Sequence, residues 1–433
     1  MDVDNYLPRV ADSLLKDALE STGAVLIEGP KWCGKTTTAT NNAASLLKMD
    51  KPSEREENIR MAGVNPETLL KGKTPRLIDE WQIATKLWDA VRYEVDERGK
   101  MGQFILTGSA VPADSEAITH TGTGRFAWLK MRPMALGESG NSSQEVSLGG
   151  LFKNTPSESN STEFSGISPL DDIEKLAFLT CRGGWPQATK LTEKNALNTA
   201  KNYFTGVVKS DINRADGVEK NENRARRLMR SYARHMGTPA TYTMIRDDIA
   251  ANESDTLNEE TVSAYVNALR MIFVVEDMPA WNPNLRSKTA IRTADTRYYV
   301  DPSIAAAALG LGPQDLINDL NTFGFLFETL CVRDLRVYAE FHGGQVFHYR
   351  DKTGLECDAV VHLPNGEYGL IEIKLGGEIA VHEAAKNLNK LAGIIDTTRM
   401  KPPSFKMVLT GVSRYAYQRE DGILVCPIGC LGV

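Results

Sequence analysis

The sequence predicts a multidomain α/β protein, with a phosphate-loop domain at the front, a helical middle and a second α/β domain at the back. Three observations lead there. The apolar run Ala24-Val25-Leu26-Ile27 reads as a buried strand leading into Gly29-Pro30-Lys31-Trp32-Cys33-Gly34-Lys35-Thr36, with a helix expected over residues 36–47. Two more short apolar strands, Leu77-Ile78 and Phe104-Ile105-Leu106, end in Asp79-Glu80 and Thr107-Gly108-Ser109. Far downstream, Leu355 to Val361 and Tyr368 to Lys374 read as paired strands around Pro364-Asn365-Gly366. A chain of 433 residues suggests two to four domains.

The glycine-rich loop is the first chemical site. Loop amides and the N-terminus of the following helix bind phosphate oxygens, because unpaired N–H groups and the helix dipole both favour anions. Lys35 is placed to reach the β- and γ-phosphates and Thr36 to help hold Mg²⁺, while Thr37 continues the nucleotide-contacting run. Asp79 is the expected second Mg²⁺ contact, through water, and Glu80 the general base that polarises the attacking water. Strand ends in such sheets point at the ligand crevice, so Thr107 or Ser109 is a candidate γ-phosphate sensor. An ordinary strand-end turn is the competing reading for either residue. ATP/ADP and Mg²⁺ are the implied cofactors.

Composition narrows the class. Apolar residues make up 42% and charged residues 24%, as in a globular protein, and no apolar run is long enough to span a bilayer. The six cysteines show no paired metal-ligand spacing; Cys426 and Cys430 read as packed thiols. A cytoplasmic setting without membrane contact is the expectation. A net charge of −6 argues against a surface coated with phosphate-binding groups, so any nucleic-acid contact must come from local basic patches.

Gly122-Thr123-Gly124-Arg125 precedes Phe126-Ala127-Trp128-Leu129, and here the pattern resembles AAA+ ATPases, in particular the bacterial and archaeal group with a C-terminal DUF4143 domain. Tyr6-Leu7-Pro8-Arg9, the phosphate loop, Asp79-Glu80-Trp81-Gln82, Leu106-Thr107-Gly108-Ser109, Gly124-Arg125 and Gly183-Gly184-Trp185-Pro186 carry the resemblance. It implies that Arg125 is an arginine finger reaching a neighbouring subunit's γ-phosphate, against the alternative of an ordinary surface arginine. A finger acting in trans implies a homo-oligomer, a dimer or a ring such as a hexamer.

The domain boundaries expected are 1–136 for the nucleotide domain, 137–220 for a flexible insertion and helical lid, 221–310 for a winged helix and 311–433 for a nuclease-like domain. Residues 137–168 are rich in Ser, Gly, Asn and Glu and read as a mobile loop rather than core. Leu170 to about Asp211 reads as helical. Arg224, Arg226, Arg227, Arg230 and Arg234 crowd one helix from about Glu222, and helices at 243–250 and 259–273 follow. A hairpin from Phe273 to Asp301, turning around Asn284–Thr289, completes a winged-helix pattern. Such modules bind DNA or act as protein spacers, and a solvated charged face competes with a DNA contact for the arginine helix.

The last part of the chain carries a second constellation. Glu328 lies in a helix expected over 323–337 with a buried stripe of Leu326, Leu330 and Leu335. A three-residue loop gives Pro364 its fixed negative φ and puts Gly366 in the left-handed region. That register pairs Leu363 with Glu367, Asp358 with Glu372 and Glu356 with Lys374, so all four polar residues share one face. Two carboxylates and a lysine on adjacent strands suit Mg²⁺-dependent phosphodiester cleavage. This resembles the PD-(D/E)xK nuclease superfamily, which implies metal-facing Glu328, Asp358 and Glu372, catalytic Lys374, auxiliary Glu356 and a weaker candidate in Lys386. An ion-paired strand face without catalysis is the alternative. Three functions remain open from sequence: an ATPase remodelling DNA, branched DNA such as a Holliday junction first among substrates; an ATP-gated nuclease; and an ATP-controlled scaffold.

Overall fold

The computed structural model describes residues 6–108, 122–153, 164–170, 172–252, 257–286, 288 and 290–433. Two compact units emerge. The first comprises Met1–Pro133, Lys209–Lys220 and Asn267–Val274, and the second Met134–Val208, Asn221–Val266 and Val275–Val433.

In the first unit the elements run α1 (Val10–Ser21), β1 (Ala24–Glu28), α2 (Lys35–Asn42), β2 (Ser45–Lys48), α3 (Arg55–Val64), β3 (Arg76–Asp79), α4 (Lys86–Arg98), β4 (Phe104–Thr107) and β5 (Phe126–Lys130). The five strands form one parallel sheet in the order β2-β3-β4-β1-β5. Strand side chains alternate with period two, and both faces are covered. Val25, Ile27, Leu77 and Ile105 pack under Leu15 and Leu19 of α1 and Ala39 of α2. Ala24, Leu26, Ile78, Phe104 and Leu106 pack against Trp88, Val91 and Val95 of α4. A continuous apolar strand such as Ala24–Ile27 is what a doubly covered sheet requires.

The helix expected over 36–47 is shorter than anticipated. It ends at Asn42; Ala43 is extended, and Ser45–Lys48 pairs with β3 as an edge strand. A neighbouring strand offers Leu46 and Leu47 backbone partners that local propensity does not reveal.

The second unit begins with β6 (Val146–Ser147), α5 (Leu148–Lys153) and β7 (Gly166–Ile167), followed by α6 (Ile173–Arg182) and α7 (Glu193–Gly206). After a π-helical turn, Val207–Asp211, and α8 (Ile212–Asp216) in the first unit come α9 (Glu222–Arg234), α10 (Tyr242–Asn252) and α11 (Glu259–Met271). An irregular antiparallel ribbon follows, with Val275 opposite Tyr299 and Met278 opposite Thr296. Then come α12 (Pro302–Leu309), α13 (Pro313–Asn318), α14 (Leu320–Phe341), β8 (Gln345–Arg350), β9 (Glu356–His362), β10 (Tyr368–Lys374), α15 (Glu378–Ile394), β11 (Phe405–Thr410), β12 (Tyr415–Gln418), β13 (Leu424–Pro427) and β14 (Leu431–Gly432). Seven strands form a mixed sheet ordered β7-β12-β13-β11-β10-β9-β8.

Two boundaries differ from expectation. The segment read as a mobile loop is partly core: Leu148, Leu151 and Phe152 are buried, Val146 pairs with Leu431, and Ile167 pairs with Tyr415. Its polar composition hid strand pairing to residues far away in sequence. Helices α6 and α7 belong to the second unit, where they pack on α12 and α13.

A buried charge cluster ties these pieces together. The Arg333 guanidinium on α14 bonds Asp301 at 2.9 Å and Asp334 at 2.7 Å, and all three side chains are at most 2% exposed. Asp301 also accepts from Gly184 N and caps α12 through Ser303 N, while Trp185 Nε1 donates to Ser303 Oγ. Asp334 accepts from Leu136 N at 2.9 Å. Burial pushes the Asp334 carboxyl up to about 6, against the pull of Arg333. Removing the cation leaves two buried carboxylates without compensation, so Arg333→Ala is expected to destabilise the protein by about 3–5 kcal/mol in denaturant unfolding. A loss below about 1 kcal/mol would show that the cluster is not a structural tie.

Candidate functional site

The parallel sheet of the first unit brings all strand C-termini to one edge. Register places Asp79 beside Thr107, and the loop that follows Glu28 opens at the same edge. Gly29 has φ +151°, and a Cβ there would lie 2.0 Å from Met131 O, so only glycine permits the turn. Lys35 is buried and its Nζ donates to the Gly29 and Pro30 carbonyls at 2.8 Å each. Thr36 Oγ1 and Thr107 Oγ1 both donate to Asp79 Oδ1, at 2.9 and 2.6 Å. Glu80 is in the left-handed region, φ 56°, an uncommon conformation for a non-glycine residue. Burial raises its carboxyl above the ordinary range, opposed by the 2.5 Å hydrogen bond from Gln82 Nε2.

Gly34 begins α2 at φ +105°, Trp32 is exposed at φ 65°, and Cys33 is buried. Lys31 pairs with Asp211 at 2.5 Å. Ser109 lies outside the described residues. Of the two candidates, Thr107 meets the Asp79 carboxylate. Arg125 precedes β5, whose first residue pairs with Ala24 at the start of β1. It thus stands at the opposite end of the sheet from its own phosphate loop, with its Nε 2.9 Å from Asp96.

The N-terminal segment has a role that the sequence pattern did not reveal. Arg9 is buried and donates to Cys33 O at 2.7 Å and Arg132 O at 2.9 Å, clamping the phosphate loop to the chain leaving β5. Tyr6 bonds Thr38 on α2 and Asp12 on α1.

The second constellation forms where β9 and β10 part. The expected register holds: Leu363 N bonds Glu367 O, Tyr368 pairs with His362, Ile371 pairs with Ala359, and Gly366 has φ +81°. Beyond that point β9 bulges. Phe347 pairs with Val360 but Tyr349 with Cys357, so Asp358 and Ala359 together face one residue of β8. The bulge places Cys357 and Val360 in the same core and re-aims Asp358, whose carboxylate accepts from Ile373 N at 2.7 Å. Simple alternation missed this; the unbroken apolar run Ala359-Val360-Val361 was its only local sign.

Lys374 Nζ bridges Asp358 at 2.9 Å and Glu372 at 2.7 Å, so the predicted convergence occurs. Glu372 is buried and its Oε1 has no hydrogen-bond partner among the described residues. Burial and Asp358 push its carboxyl upward, opposed by Lys374. Glu328 does not contact the bridge directly; it accepts a short hydrogen bond from Tyr298 of the ribbon. Burial, then the Asp358 charge, raises Glu328 to about 8. Glu356 turns to Arg350, and Lys386 is exposed on α15 without an ion pair among the described residues. No group of three or more His, Cys, Asp or Glu side chains among the described residues is arranged to hold a metal ion. In place of the metal-facing trio expected from sequence, the structure shows a lysine-bridged pair with Glu328 set apart on Tyr298, and burial raises the carboxyls of both Glu328 and Glu372. Mutual repulsion and burial explain the difference, because one ammonium cannot neutralise three ionised carboxylates.

Models of known families match three stretches of the chain: an AAA domain over residues 21–139, a domain of unknown function (DUF8612) over 173–315, and another (DUF4143) over 323–431. Curated relatives from Mycobacterium bovis and Mycobacterium tuberculosis, both named as uncharacterized proteins, are 22% identical over 369 residues, spanning 84% of this chain and 73% of theirs. A Walker-type ATPase of Pyrococcus abyssi is similar in structure with TM-score 0.44 and 15% identity, over 71% of this chain and 97% of that one. No helix among the described residues is long and apolar enough to cross a membrane.

The raised Glu328 carboxyl makes stability pH-dependent. The folded chain holds this proton to higher pH than the unfolded chain, so the stabilisation is complete below about 4.5 and is lost as pH rises through about 8. Glu328→Gln is expected to match the wild type near pH 5 and exceed it by about 1–3 kcal/mol near pH 9 in denaturant titrations. Parallel stability curves for the two proteins would mean that Glu328 ionises normally.

Proposed function

From a chain that is a P-loop ATPase, with an AAA domain followed by a DUF4143 domain, we propose a protein that couples ATP hydrolysis to work on DNA. The observation that carries the hydrolytic half is the Asp79 carboxylate shared by the Thr36 and Thr107 hydroxyls, with Glu80 next in sequence. These residues fit a magnesium nucleotide: Thr36 and Asp79 already present adjacent oxygens, and the buried Lys35 ammonium stands at the loop carbonyls. Mg²⁺ held there would neutralise charge on the β- and γ-phosphates. Lys35 exchanges two carbonyl partners for phosphate oxygens. Glu80, whose proton affinity burial raises, takes the proton of the attacking water. Gln82 holds Glu80 in place, and Thr107 fixes the Asp79 rotamer.

Arg125 is too far from its own loop to act there, four strand residues being roughly 13 Å. An arginine finger at this position serves only a neighbouring subunit, which favours a homo-oligomer, either a dimer or a ring such as a hexamer. In the second unit, a helical group followed by a ribbon and a sheet bearing Asp358, Glu372 and Lys374 supports engagement of DNA. Branched DNA such as a four-way junction is the first substrate to test. A second reading, Mg²⁺-dependent cleavage, is favoured by the orphaned Glu372 Oε1 beside Asp358. That reading requires Lys374 to leave the bridge.

Lys35→Ala is expected to abolish ATP turnover, and Glu80→Gln to slow it about a hundredfold or more while nucleotide binding persists. Turnover measured with linear, forked and four-way DNA should rise with at least one of them. Lys374→Ala should leave this stimulation intact; loss of Mg²⁺-dependent cleavage in that variant would favour the nuclease. An ATPase rate and a DNA affinity that respond to no DNA would end both readings and leave an ATP-controlled scaffold.

A further inference from the structure

Helix α9 carries the strongest concentration of positive charge in the second unit, and the carboxylate cluster uses none of it. Three of its arginines, Arg226, Arg227 and Arg230, line a cavity of about 510 Å³ together with Asn223, Phe204 of α7 and the last turn of α12 through Gly310. No Asp or Glu lines it. The volume suits a nucleotide-sized group rather than a single ion.

The arginines are not equivalent. Arg226 is fixed from two sides: its Nε and one terminal nitrogen bond Glu222, at 3.2 and 2.9 Å, and its guanidinium lies over the Phe204 ring at 5.5 Å. That carboxylate offsets the Arg226 charge, and Arg227 also has a partner of its own. Arg230 is exposed and makes no side-chain hydrogen bond or ion pair among the described residues. The end of α12 brings carbonyl oxygens toward the cavity, but Gly310 N and Leu311 N already bond Ala307 O and Ala306 O. Arg230 therefore brings to a concave, partly apolar site a positive charge that no partner among the described residues offsets. Guanidinium forks match the spacing of phosphate oxygens and remain charged at any physiological pH.

We propose that this cavity grips the phosphodiester backbone of a nucleic-acid strand, with Arg230 as a direct phosphate contact beside Arg227 and with Arg226 as a fixed positive wall. The inference rests on the DNA reading above and gives it a location. It also answers how a chain of net charge −6 holds a polyanion: the attraction is local, within a Debye length of one helix. The contact reads backbone and not bases, so binding here is independent of sequence.

The test is the salt dependence of binding for a fluorescent single-stranded oligonucleotide, measured by anisotropy with the full chain. Each phosphate contact contributes about 0.7 to the slope of log affinity against log salt for single strands. Arg230→Gln should lower the slope by about that amount and weaken binding several-fold at low salt. Arg230→Lys, which keeps the charge, should recover most of the slope, an outcome that a purely structural role would not give. An Arg230→Gln slope equal to that of the wild type overturns this site while leaving the DNA reading standing. A wild type that binds no strand at low salt overturns the DNA reading, and the site with it. Inorganic phosphate, titrated at constant ionic strength, that binds the wild type but not Arg230→Gln while leaving the strand bound would assign the cavity to free phosphate instead.

Discussion

The second unit depends on one buried cation. Arg333 is held between Asp301 and Asp334, and those two carboxylates reach the Gly183-Gly184 turn, the first turn of α12 and the chain at Leu136. Four segments distant in sequence thus share a single charge. Because buried ions tolerate only a complete set of partners, the geometry is all-or-none. Asp301 closes the ribbon that carries Tyr298, and Arg333 lies little more than one turn beyond Glu328 on α14. The ion pair and the Tyr298–Glu328 hydrogen bond therefore fasten the same two segments at two points. Side chains near the Asp358–Glu372–Lys374 cluster inherit their positions from that fastening.

In the first unit the ordering principle is different. A parallel sheet buried on both faces aligns its strand C-termini, so residues from separate strands meet without long side chains. Asp79 and Thr107 are register partners on β3 and β4, and Thr36 reaches them from the first turn of α2. The strained Glu80 conformation then follows directly after the strand, aiming a carboxyl whose proton affinity burial has raised. Arg9 secures the loop from outside the motif by bonding the Cys33 carbonyl. Catalytic precision here comes from backbone topology first and side-chain contacts second.

Local signals were legible and distant ones were not. The phosphate loop, the Asp79–Glu80 strand end and the loop register at Pro364–Gly366 could be read because each is set by residues adjacent in sequence. Lys374 was placed beside Asp358 and Glu372 by that register alone. The bulge at Asp358–Ala359 escaped notice because it depends on pairing with β8, beyond what one strand's alternation reports. Strand β2 and the core residues Leu148 to Phe152 were missed for the same reason: their partners lie elsewhere in the chain. Glu328 is marked by its helix and residue type, but its raised proton affinity follows from burial and from the Asp358 charge, against the Tyr298 hydrogen bond, and its neighbours in sequence announce none of these. Arg9 stood in a recognised motif, yet its bond to the loop appears only once the N-terminal segment is folded back.

The two lysines at the centre of the two sites differ in a way that separates what each site can accept. Lys35 is held by neutral carbonyl oxygens of Gly29 and Pro30. An incoming phosphate offers it stronger, charged acceptors, so the exchange is electrostatically downhill and the loop is poised for an anion. Lys374 is held by two carboxylates, one of them buried. An anion arriving there competes with Asp358 and Glu372 for the same ammonium and meets their repulsion. A cation that took over both carboxylates would release Lys374 toward a phosphate, and Glu372 Oε1, without a hydrogen-bond partner among the described residues, would offer it an acceptor. Nucleotide binding therefore needs no rearrangement of charge, whereas phosphodiester chemistry at the second cluster, if it occurs there, would require cation entry and lysine release together.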